Sequence, residues 1–238
     1  MTMSNLQALI NNAKTCFDLT EPADQASLYA LTESLLTAPD LSADELNAVA
    51  RGGKTPIEFR IAAKLVDSRR YMNSIDKPLK VAVLFAMWGE QNRLHPRSGD
   101  NPNGEDSLRV KLAQLDWATK GTPVDWHIYA VDDGCPHNSG QIAAGIADAH
   151  AMAGRVTVLF LADALPADDG PLAGLASADE SRKGGAIIYG CMQAIEDGAD
   201  VVIYTDADNS VHLGQIGLVL RPYIDKGTRV VLGNRKHE

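Results

Sequence analysis

Apolar positions follow two different rhythms along this chain, and the change falls near Lys80. Before it, only the helical period is present. Leu28, Leu31, Leu35 and Leu36 stand at i, i+3, i+7 and i+8, on one helical face. Ser42 and Glu45 have the spacing of a capping box ahead of a short helix. Thr55, Pro56 and Glu58 predict an N-cap, a proline in the first turn and a reciprocal acid, followed by the stripe Ile57, Ile61 and Leu65. Residues 1–77 are expected to form three or four helices that serve packing or homo-oligomerisation and carry no evident chemistry.

From Lys80 onward short apolar runs alternate with helical patterns. Val81–Ala86 is continuously apolar, the mark of a strand buried on both faces. Further strands are predicted at Val124–Val131, Val156–Ala162, Val201–Thr205 and Arg229–Leu232. Between them, Leu108, Leu112 and Leu115, then Ile142–Met152, Ala186–Ile195 and Leu213–Ile224 read as helices. Polar loops rich in Gly, Pro and Asn or Asp occupy Trp88–Asn103 and Asp163–Asp179. Strands alternating with helices predict an α/β domain over 78–238, with a mostly parallel sheet and right-handed crossovers. Trp117 and Trp126 fall within these patterns and read as packing residues, whereas His95, His127, His150 and His212 read as surface or loop residues.

Composition narrows the partners. Lys plus Arg number 22 against 31 Asp plus Glu, a formal net charge of −9 that disfavours nucleic acid and anionic membrane surfaces. Three scattered cysteines, Cys16, Cys135 and Cys191, make neither a disulfide framework nor a zinc set, and suit a reducing, cytoplasmic setting. The opening residues lack the basic-then-apolar order of a signal peptide, and no stretch reads as a membrane span.

In open parallel sheets ligands bind beyond the carboxyl ends of the strands, so the residues there carry the candidate chemistry. Ala86 to Glu90 follow the first strand, Asp132-Asp133-Gly134 the second, and Asp206-Ala207-Asp208 the fourth. Clustered carboxylates repel one another, and a divalent cation relieves that cost. On an extended segment Asp206 and Asp208 would point the same way and suit Mg²⁺ or Mn²⁺ together with substrate phosphates; alone, the pair also fits a solvated turn. Asp132 and Asp133 fit either an ordinary turn or acceptors for a base and ribose. Arg182-Lys183-Gly184-Gly185 precedes a helix, where glycines and a helix N-terminus admit a phosphate.

Taken in order, FAMWGE (85–90), VDDGCPHNS (131–139), RKGGAIIYGCMQAIEDGADVVIYTDADNSV (182–211) and VVLGNRK (230–236) resemble the GT-A glycosyltransferases, particularly the family 2 group that includes the dolichyl-phosphate sugar synthases. The resemblance runs from about residue 80 to the end and is most specific between Lys183 and Asp208. It implies a GT-A, Rossmann-like sheet and a UDP- or GDP-sugar donor bound with Mg²⁺ or Mn²⁺. It places Glu90 and Asp133 at the nucleoside with Asp132 beside them, counts Ala86 among the donor-binding residues, and puts Lys183 near the base or diphosphate. Asp206 and Asp208 would be the DxD pair, Arg235 would approach the donor phosphates, and His237 would complete the metal shell. Trp88-Gly89-Glu90 stands where the family has Pro and Asn-Glu, and Glu180-Ser181-Arg182-Lys183-Gly184 where it has Asn-x-Gly-Lys-Gly. Both departures sit where base and sugar are read, so the donor is left open.

The expected activity is sugar transfer from a nucleoside-diphosphate sugar to an acceptor the sequence does not identify. Only 238 − 208 = 30 residues follow the DxD pair, so the chain reads as a fragment ending before an acceptor-binding half, with no general base to name. A non-catalytic nucleotide-sugar-binding module is the alternative of another class, and turnover of a labelled donor separates the two. A sugar-1-phosphate nucleotidyltransferase would need a basic glycine-rich loop after the first strand, where this chain has Met87-Trp88-Gly89-Glu90.

Overall fold

The computed structural model describes residues 3–38, 40–181 and 183–234. The chain forms two compact units that are discontinuous in sequence. One comprises 1–75, 116–122 and 212–238, the other 76–115 and 123–211.

The first unit is helical, with α1 (Met3–Asn12), α2 (Pro22–Leu36), α3 (Ala43–Ala50), α4 (Ile57–Ser74) and α8 (Ile216–Lys226). Its core joins Leu28, Leu31 and Leu35 of α2 to Leu46 of α3 and Phe59, Leu65 and Val66 of α4. The capping box at α3 is present: Ser42 Oγ accepts from Glu45 N at 3.2 Å and Glu45 Oε2 accepts from Ser42 N at 2.8 Å. The box predicted at Thr55 does not form. The Thr55 hydroxyl donates instead to the Val49 carbonyl at 2.8 Å, Glu58 Oε2 accepts from Lys14 N at 2.6 Å, and Pro56 takes the cap position. Longer-range partners outcompete the local ones, because both groups lie where the preceding segments return.

His212, expected at the surface or in a loop, stands in a loop ahead of a short 3-10 turn but not at the surface. It is fully buried, its Nδ1 accepts the Gly214 N–H at 3.0 Å, and its ring meets Tyr29 edge-on at 5.5 Å. Burial pushes its pKa down to about 3, because the charged imidazolium would lose its hydration there. Trp117 packs on the same cluster, 5.4 Å from Tyr29, and its indole N–H donates to Glu33.

The second unit is an α/β layer. Strands β1 (Leu79–Met87), β2 (Val124–Asp132), β3 (Val156–Phe160) and β4 (Val201–Tyr204) form one parallel sheet in the order β3-β2-β1-β4. Helices α5 (Ser107–Thr119), α6 (Ser139–Asp148) and α7 (Gly184–Glu196) connect them. β1 lies at the centre, and seven consecutive residues, Val81 to Met87, are buried, as the unbroken apolar run requires. Alternation divides the sheet into two faces. Ala82, Leu84, Ala86, Tyr129 and Val131 face α7 with Ala186 and Ala194. The approach is close at Gly190, where a Cβ would stand 2.6 Å from Leu84 Cδ1 and 2.9 Å from Val131 Cγ2. On the other face α6 meets β2 and β3, and a Cβ on Gly140 would lie 2.4 Å from the Phe160 ring.

The fifth strand predicted at Arg229–Leu232 is absent: this segment has no strand structure, and Val230 and Leu232 are 76% and 88% exposed. A run of β-branched residues becomes a strand only where an edge accepts its backbone groups. Among the described residues the sheet ends at β4. No helix among them is long and apolar enough to cross a membrane.

Candidate functional site

Parallel strands bring their carboxyl ends to one rim, so Met87, Asp132 and Tyr204 end β1, β2 and β4 on the same side. The two acids that close β2 serve different partners. Asp132 is buried; its Oδ1 accepts the Cys135 N–H at 3.0 Å and its Oδ2 the Gly140 N–H at 2.9 Å. Its carboxylate thus fastens the turn and the first turn of α6, where helix N–H groups favour negative charge. Asp133 is also buried, and it reaches forward in sequence. Its Oδ1 accepts the Ser181 hydroxyl at 2.6 Å and its Oδ2 the Lys183 N–H at 2.6 Å.

Lys183 is the hinge of the rim. Its backbone is left-handed, with φ 78°, a conformation strained for a residue with a long side chain and sustained here by the Asp133 bond. Its ammonium donates to Asp206 Oδ1 at 2.7 Å and lies 5.5 Å from the centre of the Tyr204 ring. The Tyr204 hydroxyl donates to the same carboxylate oxygen at 3.0 Å. The bond to Asp206 holds the Lys183 pKa well above its ordinary value. A continuous chain of hydrogen bonds therefore runs from Asp133 through Lys183 to Asp206, linking the ends of β2 and β4 to the start of α7.

β4 stops at Tyr204, so Asp206 and Asp208 stand in a turn rather than on an extended strand. Their relation is set by what grips that turn. Lys111 of α5, itself buried, donates to the carbonyls of Ala207 at 3.0 Å and Asp208 at 2.6 Å and to Asn209 Oδ1 at 3.2 Å. The ammonium also lies 5.5 Å from the Phe85 ring centre. Burial pushes its pKa down to about 8, opposed by Asp208, Glu105, Glu90 and Asp206. Glu105 adds a second grip, with Oε2 accepting the Asn209 N–H at 2.8 Å and its carbonyl accepting from Asn209 Nδ2 at 2.9 Å. Asp208 Oδ1 accepts the Ser210 N–H at 3.1 Å.

At the end of β1, Ala86 is buried in the sheet, and Glu90 is ion-paired to Arg93 at 2.9 Å, which also reaches Glu105 at 3.2 Å. The Glu90 N–H donates to Ser139 Oγ at 2.9 Å, tying the first loop to α6. Cys135 lies in the same seam. Burial works to raise its thiol, but Ser139 and the N–H groups of Gly89 and His137 outweigh that and hold its pKa below the ordinary value. Arg235 and His237, the remaining candidates, and Arg182 lie outside the described residues.

Ala86, Glu90, Asp132, Asp133, Lys183, Asp206 and Asp208 all stand at this carboxyl-end rim or in the loops leaving it, but their environments differ. Asp132 and Asp133 are engaged in holding loops, while Asp206 remains about one-third exposed. Among the described residues no group of three or more His, Cys, Asp or Glu side chains is arranged to hold a metal ion. Mg²⁺ characteristically takes one or two carboxylates and completes its shell with water and phosphate oxygens, so the donor set of Asp206 and Asp208 fits such an ion. Occupation of Asp206 would require Lys183 to release that oxygen.

Sequence reasoning passed over Lys111, Arg93, Glu105 and Ser181. Lys111 did leave a signal: it interrupts the apolar stripe Leu108–Leu112–Leu115 at a core-facing position. The other three act through loop contacts that no local pattern encodes.

Comparison with protein-family models, with curated proteins and with solved structures found no match for this chain.

Proposed function

We propose that this rim binds the diphosphate of a nucleoside-diphosphate sugar with Mg²⁺ or Mn²⁺ between Asp206 and Asp208, and that the chain is the donor-binding part of a GT-A glycosyltransferase. The observation that carries the reading is the bonded chain Asp133–Lys183–Asp206 across two strand ends and a helix start. The four-stranded parallel sheet is compatible with that fold. The GT-A assignment itself rests on the sequence resemblance around Lys183 to Asp208.

The division of labour follows from the side chains. A bound divalent ion would supply Lewis-acid neutralisation of the departing diphosphate, an effect of several kcal/mol. Lys183, held at its backbone by Asp133, would bring its positive charge to the diphosphate once the ion has taken its place at Asp206. The N-terminus of α7 opens at the same place, with the Gly184 N–H turned to the Ser181 carbonyl, and its positive dipole end favours an anion. Asp132 would act indirectly, by fixing the turn that carries Asp133.

Calorimetric titration with UDP and with GDP, each with and without Mn²⁺, tests the reading. Metal-dependent binding of one nucleotide, abolished in Asp208→Asn, supports it. Absence of metal-dependent binding of either nucleotide defeats it. Binding without transfer or hydrolysis of a labelled donor would favour the non-catalytic module.

A further inference from the structure

We infer that Lys111 is a positioning residue for the Asp206–Asp208 turn: its buried ammonium, bonded to the Ala207 and Asp208 carbonyls and to Asn209 Oδ1, fixes the backbone that carries the two carboxylates before any ligand arrives. This inference rests on the proposed reading of the site and adds a residue to it.

The physical argument starts from the cost of the position. An ammonium on a helix face that otherwise packs Leu108, Leu112 and Leu115 is costly to bury, and a methionine would fill the same space without that cost. The charge is compensated by three acceptors, and all three belong to Ala207–Asn209. The turn needs such a grip, because β4 has ended at Tyr204 and no strand pairing continues into Asp206. Ala207 and Asn209 are buried, so the Ala207 carbonyl in particular needs a protein donor, which Lys111 supplies. Glu105 holds Asn209 from the opposite polarity, accepting its N–H where Lys111 donates to its side chain. The turn is thus clamped by one fixed cation and one fixed anion. Its carboxylates are left to Lys183, Tyr204 and Ser210, which are exposed.

Such a clamp acts through backbone groups and touches no substrate. Its removal should raise the mobility of one turn and weaken metal-dependent nucleotide binding, without altering the sheet.

The experiment compares the full chain with Lys111→Met by amide hydrogen exchange and by Mn²⁺ titration followed by electron paramagnetic resonance, in the presence of UDP and of GDP. The expected result is at least tenfold faster exchange at Asn209 and Ser210, unchanged exchange at Val83 and Phe85, and roughly tenfold weaker Mn²⁺ binding in the nucleotide complex. Unchanged exchange at Asn209 and Ser210 overturns the inference. So does faster exchange with unaltered Mn²⁺ affinity. If the wild-type chain binds no Mn²⁺ with either nucleotide, the proposed function fails on that arm, whatever the variant does.

If Lys111→Met does not fold, the wild-type chain decides. A lysine ammonium cross-peak protected from solvent exchange, and shifted by Mg²⁺ with UDP or GDP, is expected for Lys111. Absence of any protected ammonium, or a protected one indifferent to the ligand, contradicts the inference.

Discussion

Replacing His212 with Asn should remove an acid-sensitive element from the helical unit. The neutral imidazole is buried, its Nδ1 accepts the Gly214 N–H, and burial sets its pKa near 3 against 6.5 for an exposed histidine. Because the folded value is depressed, the stabilisation is fully present above pH 6.5. It begins to fall as the pH drops below 6.5, when only the unfolded chain takes up the proton, and is lost in full below about 3. Each pH unit in that window costs about 1.4 kcal/mol, so acidification from pH 8 to pH 5 should cost about 2 kcal/mol through this residue alone. That is a large share of the roughly 5–15 kcal/mol that holds an ordinary domain together. Asn keeps an acceptor near the Nδ1 position and does not titrate. At pH 8 the variant should be less stable by about 1–3 kcal/mol through the lost ring packing on Tyr29. Urea unfolding at pH 8, 6.5 and 5, followed by the fluorescence of Trp117 with Trp88 and Trp126 replaced by Phe in both proteins, measures both effects. The gap between wild type and variant should shrink by about 2 kcal/mol from pH 8 to pH 5. A gap that stays constant across that range would refute the reasoning, since other histidines cancel in the comparison.

Three further outcomes follow from packing and charge. Gly190→Ala places a methyl against Leu84 and Val131 and should cost about 1–3 kcal/mol, visible as a lower calorimetric Tm; an unchanged Tm contradicts the close approach. Asp132→Asn turns one acceptor into a donor facing a buried N–H and should cost about 1–3 kcal/mol, read as a lower urea midpoint. An unmoved midpoint would contradict a structural role for those two bonds. Lys183→Met removes the ammonium from Asp206, so Mn²⁺ alone should bind more tightly and UDP or GDP more weakly. Calorimetry showing both shifting in the same direction would show that Lys183 does not stand between the metal and the diphosphate.

Much of the layer architecture was legible because it rests on local periodicity. The apolar run from Val81 to Ala86 could only be a central strand, and β2, β3 and β4 start at the residues their runs predicted. What failed was competition between partners. Thr55 and Glu58 have the letters of a cap but find better partners in Val49 and Lys14. Arg229–Leu232 has strand propensity without a pairing edge. His212 looked incidental because burial of a lone histidine leaves no spacing signature. At the site, the acids were legible from their position after strands, but the assignments inside it were not. The Lys111 clamp does not follow from adjacent sequence, since it joins segments distant along the chain, whereas Asp132 bonds the nearby Cys135 and Gly140 N–H groups, the turn reading its position had left open.

The central claim, that Asp206 and Asp208 share a divalent ion with a diphosphate steadied by Lys183, is tested most directly by manganese anomalous diffraction from crystals grown with UDP or GDP. The account predicts one peak roughly 2.0–2.5 Å from a carboxylate oxygen of each aspartate, with the diphosphate within hydrogen-bond reach of the Lys183 ammonium. A manganese peak elsewhere, or a nucleotide bound away from this rim, would contradict it.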